Sequence, residues 1–311
     1  MSDTHETRLE RARLALEGLS VGDAFGETFF SNPDVVEGLI AQRALAAPPW
    51  RWTDDTAMAL SIYRELRLRG GIDPDELATD FARRYEPGRG YGPAMHGMLR
   101  EIRDDNGYWR EIAGSLFHGQ GSYGNGAAMR VAPLGAYLAD DPAGLVAQAA
   151  RSSEVTHAHP DGIAGGVAVA VAAGLAWRCR EEGRRPARNE FLDAVLAHVP
   201  DGQTRAMLRR ARDLPSDCSV RLAAAALGNG TMVSAQDTVP LALWCAAGWL
   251  DDYEEAMWQT VSALGDRDTT CAIAGGVVAV YVGAEGIPAG WRESREPLPA
   301  WAFEDVTEDE P

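Results

Sequence analysis

One stretch of this chain, Gly162 to Trp177 (GIAGGVAVAVAAGLAW), consists almost entirely of Gly, Ala and Val. A helix of such small side chains lets neighbouring helices approach closely on every side. The run is too short and too rich in Gly and Ala to read as a bilayer-spanning segment, so packing inside a core is the expectation. Helical spacing of apolar residues recurs along the rest of the chain. No convincing run of alternating β-branched residues interrupts it. The fold class expected is all-α, in a single domain covering 1–311.

Arg8 to Leu19 is a predicted helix that leads into a Gly-rich segment, Gly22-Asp23-Ala24-Phe25-Gly26. Thr53 to Leu68 is a second, stopped by Gly70-Gly71. Pro74 to Tyr85 opens with Asp73-Pro74, a cap residue with proline at the first helical position. Further helices are predicted near 93–103, 126–139, 142–152, 161–180, 188–197, 203–212, 219–226, 239–247, 252–263 and 269–283. From about residue 288 to 311 the chain carries Trp291, Pro297, Pro299 and Trp301 and ends in EDVTEDEP. This reads as an irregular tail docked through its tryptophans, with a frayed acidic end.

The chain has 311 residues, 46% of them hydrophobic, enough for a full core. Its formal charge is −17, from 46 acids against 29 bases. That balance argues against nucleic acid or an anionic membrane as the main partner. Every base is Arg and no Lys occurs, which excludes Schiff-base lysine chemistry and a Walker-type P-loop. Cys179, Cys218, Cys245 and Cys271 have no CxxC spacing, and the three in apolar helical surroundings read as buried free thiols. The N-terminal MSDTHETRLERARLALEG is charged and has no apolar h-region, so the expectation is a cytoplasmic protein without a signal peptide.

Two acidic clusters carry the chemistry: Thr53-Asp54-Asp55-Thr56 and Asp266-Arg267-Asp268-Thr269. Each opens an Ala-rich apolar helix. Thr and Asp are favoured helix caps, and that is the plainest account of either cluster alone. Two such groups, each holding several acids together, need a reason to tolerate like charges, and a bound cation supplies one. Carboxylates and hydroxyls are hard oxygen ligands, suited to Mg²⁺ or Mn²⁺ and poorly suited to Zn²⁺.

Three Gly-rich segments lie between them. In Gly121-Ser122-Tyr123-Gly124-Asn125-Gly126-Ala127-Ala128-Met129-Arg130 a loop runs into a helix, where backbone N–H groups can approach an anionic group such as a diphosphate. Such a loop can equally be a tight turn. Arg89-Gly90-Tyr91-Gly92-Pro93 reads as a mobile loop with an aromatic lid. Thr156-His157-Ala158-His159-Pro160 opens the small-residue helix; its histidines read as helix caps or contacts to substrate oxygens in preference to metal ligands.

In order, Gly22-Asp23-Ala24-x-Gly26, Trp52-Thr53-Asp54-Asp55-Thr56, Arg89-Gly90-Tyr91-Gly92, the GSYGNGAAMR segment, Thr156-His157-x-His159-Pro160 and Gly265-Asp266-x-Asp268-Thr269 resemble the ADP-ribosylglycohydrolase family from about residue 9 to 286. The resemblance implies a single-domain orthogonal helical bundle, working as a monomer, with a binuclear Mg²⁺ (or Mn²⁺) cleft. By the family's pattern Thr53, Asp54, Asp55, Asp266, Asp268 and Thr269 would hold the two ions. Ser122, Tyr123, Gly124, Asn125 and Gly126 would surround the diphosphate and adenosine, with Tyr123 and Phe117 as an aromatic clamp. Gly90, Tyr91 and Gly92 would lie near the metal-bound ribose, and His157 would touch the ligand. The implied reaction is hydrolysis at C1″ of ADP-ribosylated proteins or small molecules to release ADP-ribose, with Asp54 or Asp55 as general base.

Two positions depart from the pattern. Many relatives carry a Glu seven residues after the Asp of GDAxG; here Phe30 stands there, and the nearest acid is Glu27. Arginine-specific members tend to carry an Asp in the loop that here reads RGYG, so the chain looks more like the branch acting on serine-linked and O-acetyl-ADP-ribose. An arginine-directed hydrolase, and a non-catalytic ADP-ribose-binding or crystallin-like protein of the same fold, are the alternatives. A pseudoenzyme would be expected to lose its acids, yet all four Asp remain. A phosphodiesterase of the all-α type typically uses His-Asp pairs, and no HD dipeptide occurs.

Overall fold

Glycine recurs at every fourth residue on the inner face of the first helix, at Gly18, Gly22 and Gly26. That helix belongs to a computed structural model describing residues 4–105 and 107–304, which among these holds helices, turns and two isolated backbone bridges, Trp50 with Arg295 and Gly124 with Ser234. In chain order the first helices are α1 (His5–Glu27), α2 (Pro33–Ala41), α3 (Asp54–Arg69), α4 (Pro74–Arg83), α5 (Pro93–Asp105) and α6 (Trp109–Gly119). The middle of the chain forms α7 (Gly126–Met129), α8 (Ala132–Tyr137), α9 (Pro142–Glu154), α10 (Pro160–Glu181), α11 (Arg188–Leu196) and α12 (Gln203–Asp213). The last are α13 (Val220–Leu227), α14 (Ala235–Gly248), α15 (Tyr253–Ser262), α16 (Arg267–Val282) and α17 (Ala289–Ser294).

The α1 glycines explain how the centre is packed. A Cβ on Gly18 would stand 2.5 Å from the Gly275 carbonyl oxygen, one on Gly22 2.3 Å from that of Cys271, and one on Gly26 2.3 Å from that of Arg267. Backbone therefore lies against backbone along the whole α1–α16 crossing. The glycines of the GDAxG segment are helical, contrary to their reading as a stretch following the first helix. Their role is close approach, and they carry Asp23 to the start of α16.

The small-residue run forms α10, and most of its side chains are buried against the rest of the chain, as expected. With 22 residues it is long enough to cross a bilayer, but its surroundings here are protein. A Cβ on Gly135 of α8 would meet the Ala170 carbonyl oxygen at 2.0 Å, so α8 also rests directly on α10. Cys179, Cys245 and Cys271 are buried free thiols.

Local chemistry sets the ends of α3 and α4. Gly70 takes a left-handed φ of 71° and its N–H bonds the Leu66 carbonyl, which ends α3. Asp73 caps α4 with Pro74 following. The predicted helix over 126–139 is broken into α7 and α8 around Arg130 and Val131, where Pro133 opens the new helix. Helices α2 and α6 were not expected. The tail is more regular than predicted, containing α17 and a short 3-10 turn, Ala300–Ala302. It docks as foreseen: Trp291 stacks on Phe25 at 4.5 Å beside Trp50 and Trp258, and such pairs add about 0.5–1.5 kcal/mol each beyond area burial. The acidic end read as frayed lies, from residue 305 on, outside the described residues.

Candidate active site

Asp23 ties the two acidic clusters to one place. It is fully buried on α1, and its Oδ2 accepts the backbone N–H of Thr53 at 2.9 Å, that of Thr56 at 3.1 Å, and the Thr56 hydroxyl. Its Oδ1 accepts the Thr53 hydroxyl at 2.9 Å. The start of α3 is thus held by a carboxylate from another helix. Thr53 also caps α3, accepting the Asp55 N–H at 3.3 Å. Asp54 and Asp55 do not cap; Asp54 is partly exposed and Asp55 buried. Sequence reading placed Asp23 in a motif without a role; its helical register opposite α16 was the missing signal.

The start of α16 meets this group. Thr269 donates its hydroxyl to Asp55 Oδ1 at 3.4 Å. Asp266 occupies the N-cap position but makes no side-chain cap; its Oδ2 accepts from Asn125 Nδ2 at 2.7 Å, and the same nitrogen reaches the Thr238 hydroxyl at 3.0 Å. The cap explanation therefore covers Thr53 and fails for Asp54, Asp55 and Asp266.

Charge crowding is written into the protonation of the cluster. Burial pushes Asp23 up to about 6, against the bonds from Thr56 and Thr53. Burial, then the charges of Asp23 and Asp266, push Asp54 up to about 8. Burial raises Asp55 and Asp268 well above the carboxylate range, with added repulsion from Asp23 and the facing aspartates, and it raises Asp266 as well. Buried Asp55 Oδ2 and Asp268 Oδ1 have no hydrogen-bond partner. Buried carboxyl oxygens without donors fit hard divalent cations, whose charge would favour the ionised form. Among the described residues, no group of three or more His, Cys, Asp or Glu side chains stands placed to hold a metal ion. Phe30, exposed, lies against the Arg267 guanidinium at 5.0 Å. Glu27 is half-buried on α1, and burial, then the charge of Asp23, raises its pKa. Glu27 also lies within reach of the Asp266 charge.

The RGYG segment is braced. Arg89 stacks over Trp52 with Cζ 3.3 Å from the ring centroid, pairs with Glu296 through both Nη atoms at 2.7 and 3.2 Å, and donates to the Trp52 carbonyl. Tyr91 is buried against Tyr85 and His96, so it is a packed wall and not the mobile lid expected from sequence. Burial, then the Asp54 charge, pushes its phenol up. Gly90, at φ 96°, comes close to Asp54: a Cβ would stand 3.5 Å from Oδ1.

The Gly121–Gly126 segment lies between the 157–159 and 233–235 segments. Gly121 has φ 75°, and a Cβ there would strike the His159 nitrogen at 2.7 Å. Asn125 N–H bonds the Val233 carbonyl and Gly124 N–H bonds Ser122 Oγ, which removes both amides from those a phosphate could use. His159 caps α10, accepting from Asp161 N–H at 3.0 Å. His157 is buried with Nδ1 2.7 Å from the Thr156 hydroxyl; burial, then the Arg130 charge, push its pKa down to about 3. Phe117 and Tyr123 are both exposed, their rings tilted at 35° with centroids 6.0 Å apart. A base sandwiched between them needs about 7 Å, two contact spacings of about 3.5 Å, so the rings must part to admit one. A cavity of about 430 Å³ opens beside Tyr123, lined by Met207, Met232, Ser234 and Asp237 among others.

Known proteins resemble this chain over most of its length. A model of the ADP-ribosylglycohydrolase family matches residues 4–309. The chain is 28% identical to "ADP-ribosylhydrolase ARH3" of Homo sapiens, covering 93% of this chain and 90% of that protein. It is 26% identical to "ADP-ribosyl-[dinitrogen reductase] glycohydrolase" of Rhodospirillum rubrum, covering 91% and 89%. A solved structure, "ADP-ribosylglycohydrolase-related protein complex", superposes with a TM-score of 0.66 at 25% identity, over 94% of each chain. The chain belongs to the ADP-ribosylglycohydrolase family.

Proposed function

We propose that the protein is a divalent-metal-dependent hydrolase that cleaves the C1″ glycosidic bond of O-linked ADP-ribosylated substrates, serine-linked or O-acetyl, and releases ADP-ribose. The observation that carries this reading is the meeting of two acidic helix starts around Asp23, with buried Asp55 Oδ2 and Asp268 Oδ1 lacking partners. Thr53, Asp54, Asp55, Asp266, Asp268 and Thr269 would hold two Mg²⁺ or Mn²⁺ ions. When bound, such ions neutralise the carboxylates and orient ribose hydroxyls and a water. Asp54, partly exposed, is better placed than buried Asp55 to take the proton of the attacking water. The carboxylates also stabilise the positive charge that builds on the ribose as the acceptor leaves. Tyr123 and Phe117 offer stacking faces to adenine, and Ser122, Gly124, Asn125, Gly126 and His157 line the approach of the diphosphate. Gly90 supports the O-linked choice, because the acid that the resemblance associates with arginine acceptors is replaced there by a hydrogen facing Asp54.

The test is release of ADP-ribose from serine-linked, arginine-linked and O-acetyl substrates, each with Mg²⁺ and with EDTA. Turnover of the O-linked pair, lost in chelator and in Asp268→Ala, is expected. Full activity in EDTA overturns the metal role, and turnover of the arginine substrate alone overturns the acceptor. Binding of ADP-ribose without turnover of any substrate indicates the non-catalytic alternative.

A further inference from the structure

Arg130, at the end of α7, is fully buried, with the Tyr91 phenol and the Asp54 carboxylate within reach of its charge. Its Nη2 donates to the Ser152 carbonyl at 3.0 Å and to the Thr156 hydroxyl at 2.9 Å, its Nη1 reaches Met58 Sδ at 3.5 Å, and Cζ lies 4.5 Å from the Phe81 ring centroid. Guanidinium can only donate, so Thr156 Oγ1 is the acceptor of that bond. The hydroxyl then has its own proton to give. The acceptor at hand is His157 Nδ1, 2.7 Å away. Were Nδ1 to carry the ring proton, the Thr156 hydroxyl would face two donors, and its buried proton would have no acceptor.

We propose that Arg130 and Thr156 are positioning residues that fix His157 as the neutral Nε2–H tautomer, aiming that N–H into the Gly124–Gly126 bend as a donor to an anionic oxygen of the bound nucleotide. The ligand class rests on the function proposed above; the tautomer does not. The direction is set by the glycines: a Cβ on Gly124 or Gly126 would stand 3.0 or 3.1 Å from Nε2 and cover it. The ring nitrogens divide the work, one tied to the scaffold and the other presented. Arg130 does this from inside the core, and its charge also disfavours an imidazolium beside it.

The test is long-range ¹H–¹⁵N correlation on histidine-labelled, ligand-free protein, with His157→Gln identifying the resonance. His157 is expected to show a bare Nδ1 and a protonated Nε2, unchanged from about pH 5 to 8, where an ordinary imidazole titrates. Thr156→Ser should keep this pattern. Thr156→Val should move the proton toward Nδ1 and weaken ADP-ribose binding by calorimetry roughly ten-fold, the loss of one charge-assisted bond. An Nδ1–H or imidazolium pattern in the wild type, or an unchanged tautomer in Thr156→Val, overturns the proposal. The wild-type spectrum decides the tautomer even where a variant fails to fold. A protein with the expected tautomer and no affinity for ADP-ribose refutes the proposed function while the positioning stands.

Discussion

Asp23 takes both the backbone N–H and the hydroxyl of Thr56, 33 residues away, and so fixes where α3, the first of the two acidic helices, begins. The same carboxylate is a burden, because burial raises its pKa to about 6 and its charge raises those of Asp54 and Asp55. Two substitutions separate these effects, since both Asn and Ala remove the charge. Asn can keep one oxygen on the two backbone amides, whereas Ala leaves both without a partner. In EDTA, Asp23→Asn should be at least as stable as the wild type. Asp23→Ala should fall below it, and below Asn by about 1–3 kcal/mol for each orphaned amide. Urea unfolding measures the gap; equal stability of the two variants removes the anchoring role.

The α1–α16 crossing gives a second prediction. Gly22→Ala puts a methyl 2.3 Å from the Cys271 carbonyl oxygen, and backbone on both sides leaves it nowhere to go. The helices must separate, with a loss of about 1–3 kcal/mol or more typical of overpacking. Gly38 on α2 is the control, because nothing lies within 4 Å of its Cβ position. Gly38→Ala should stabilise by about 0.4–1 kcal/mol through helix propensity and a less free unfolded chain. Thermal unfolding of the pair reads both signs at once.

Much of the fold is legible in the amino-acid sequence, for physical reasons. Caps and stops are local, so Asp73-Pro74 and Gly70 marked their helix ends correctly. The acidic clusters are visible because several carboxylates stand side by side in the sequence, and holding like charges together has a cost. What sequence could not give was register. Gly22 and Gly26 look the same in a loop and in a helix crossing, and only the partner backbone of α16 tells them apart. Tyr91 reads as a lid because it sits between glycines; the Trp52 and Glu296 contacts that hold its segment come from distant parts of the chain. Helix α6 escaped notice for a similar reason, since its end departs from helical geometry at Phe117 and His118, which take left-handed φ of 51° and 61°.

Arg89 makes that brace testable. Its planar fork bonds both oxygens of Glu296 while its flat face rests on Trp52, and Lys can reproduce neither. Arg89→Lys keeps the charge, so a purely electrostatic role predicts little change. The geometry predicts a stability loss of about 1–3 kcal/mol from charged hydrogen bonds. It also predicts a several-fold rise in KM for ADP-ribosylated substrate, because Gly90 follows directly and faces Asp54. Unfolding and steady-state assays check the two halves separately.

Glu65 supplies a pH dependence outside the site. It is buried on α3, 1% exposed, with Oε1 bonded to Arg69 Nη1 at 2.8 Å and Oε2 without a partner. Burial outweighs the Arg69 charge and raises its pKa from 4.5 to about 7. Between those values the folded chain holds a proton that the unfolded chain has released, so the folded state binds more protons. Stability then falls as pH rises through that window, and the contribution present at low pH is gone above about 7. Glu65→Gln keeps the shape, stays neutral and can still accept from Arg69. It should therefore flatten the fall between about pH 5 and 7 and leave the variant more stable than the wild type at pH 8. Urea unfolding at the two ends of the range measures this, and parallel pH profiles for the two proteins would assign the slope to other groups.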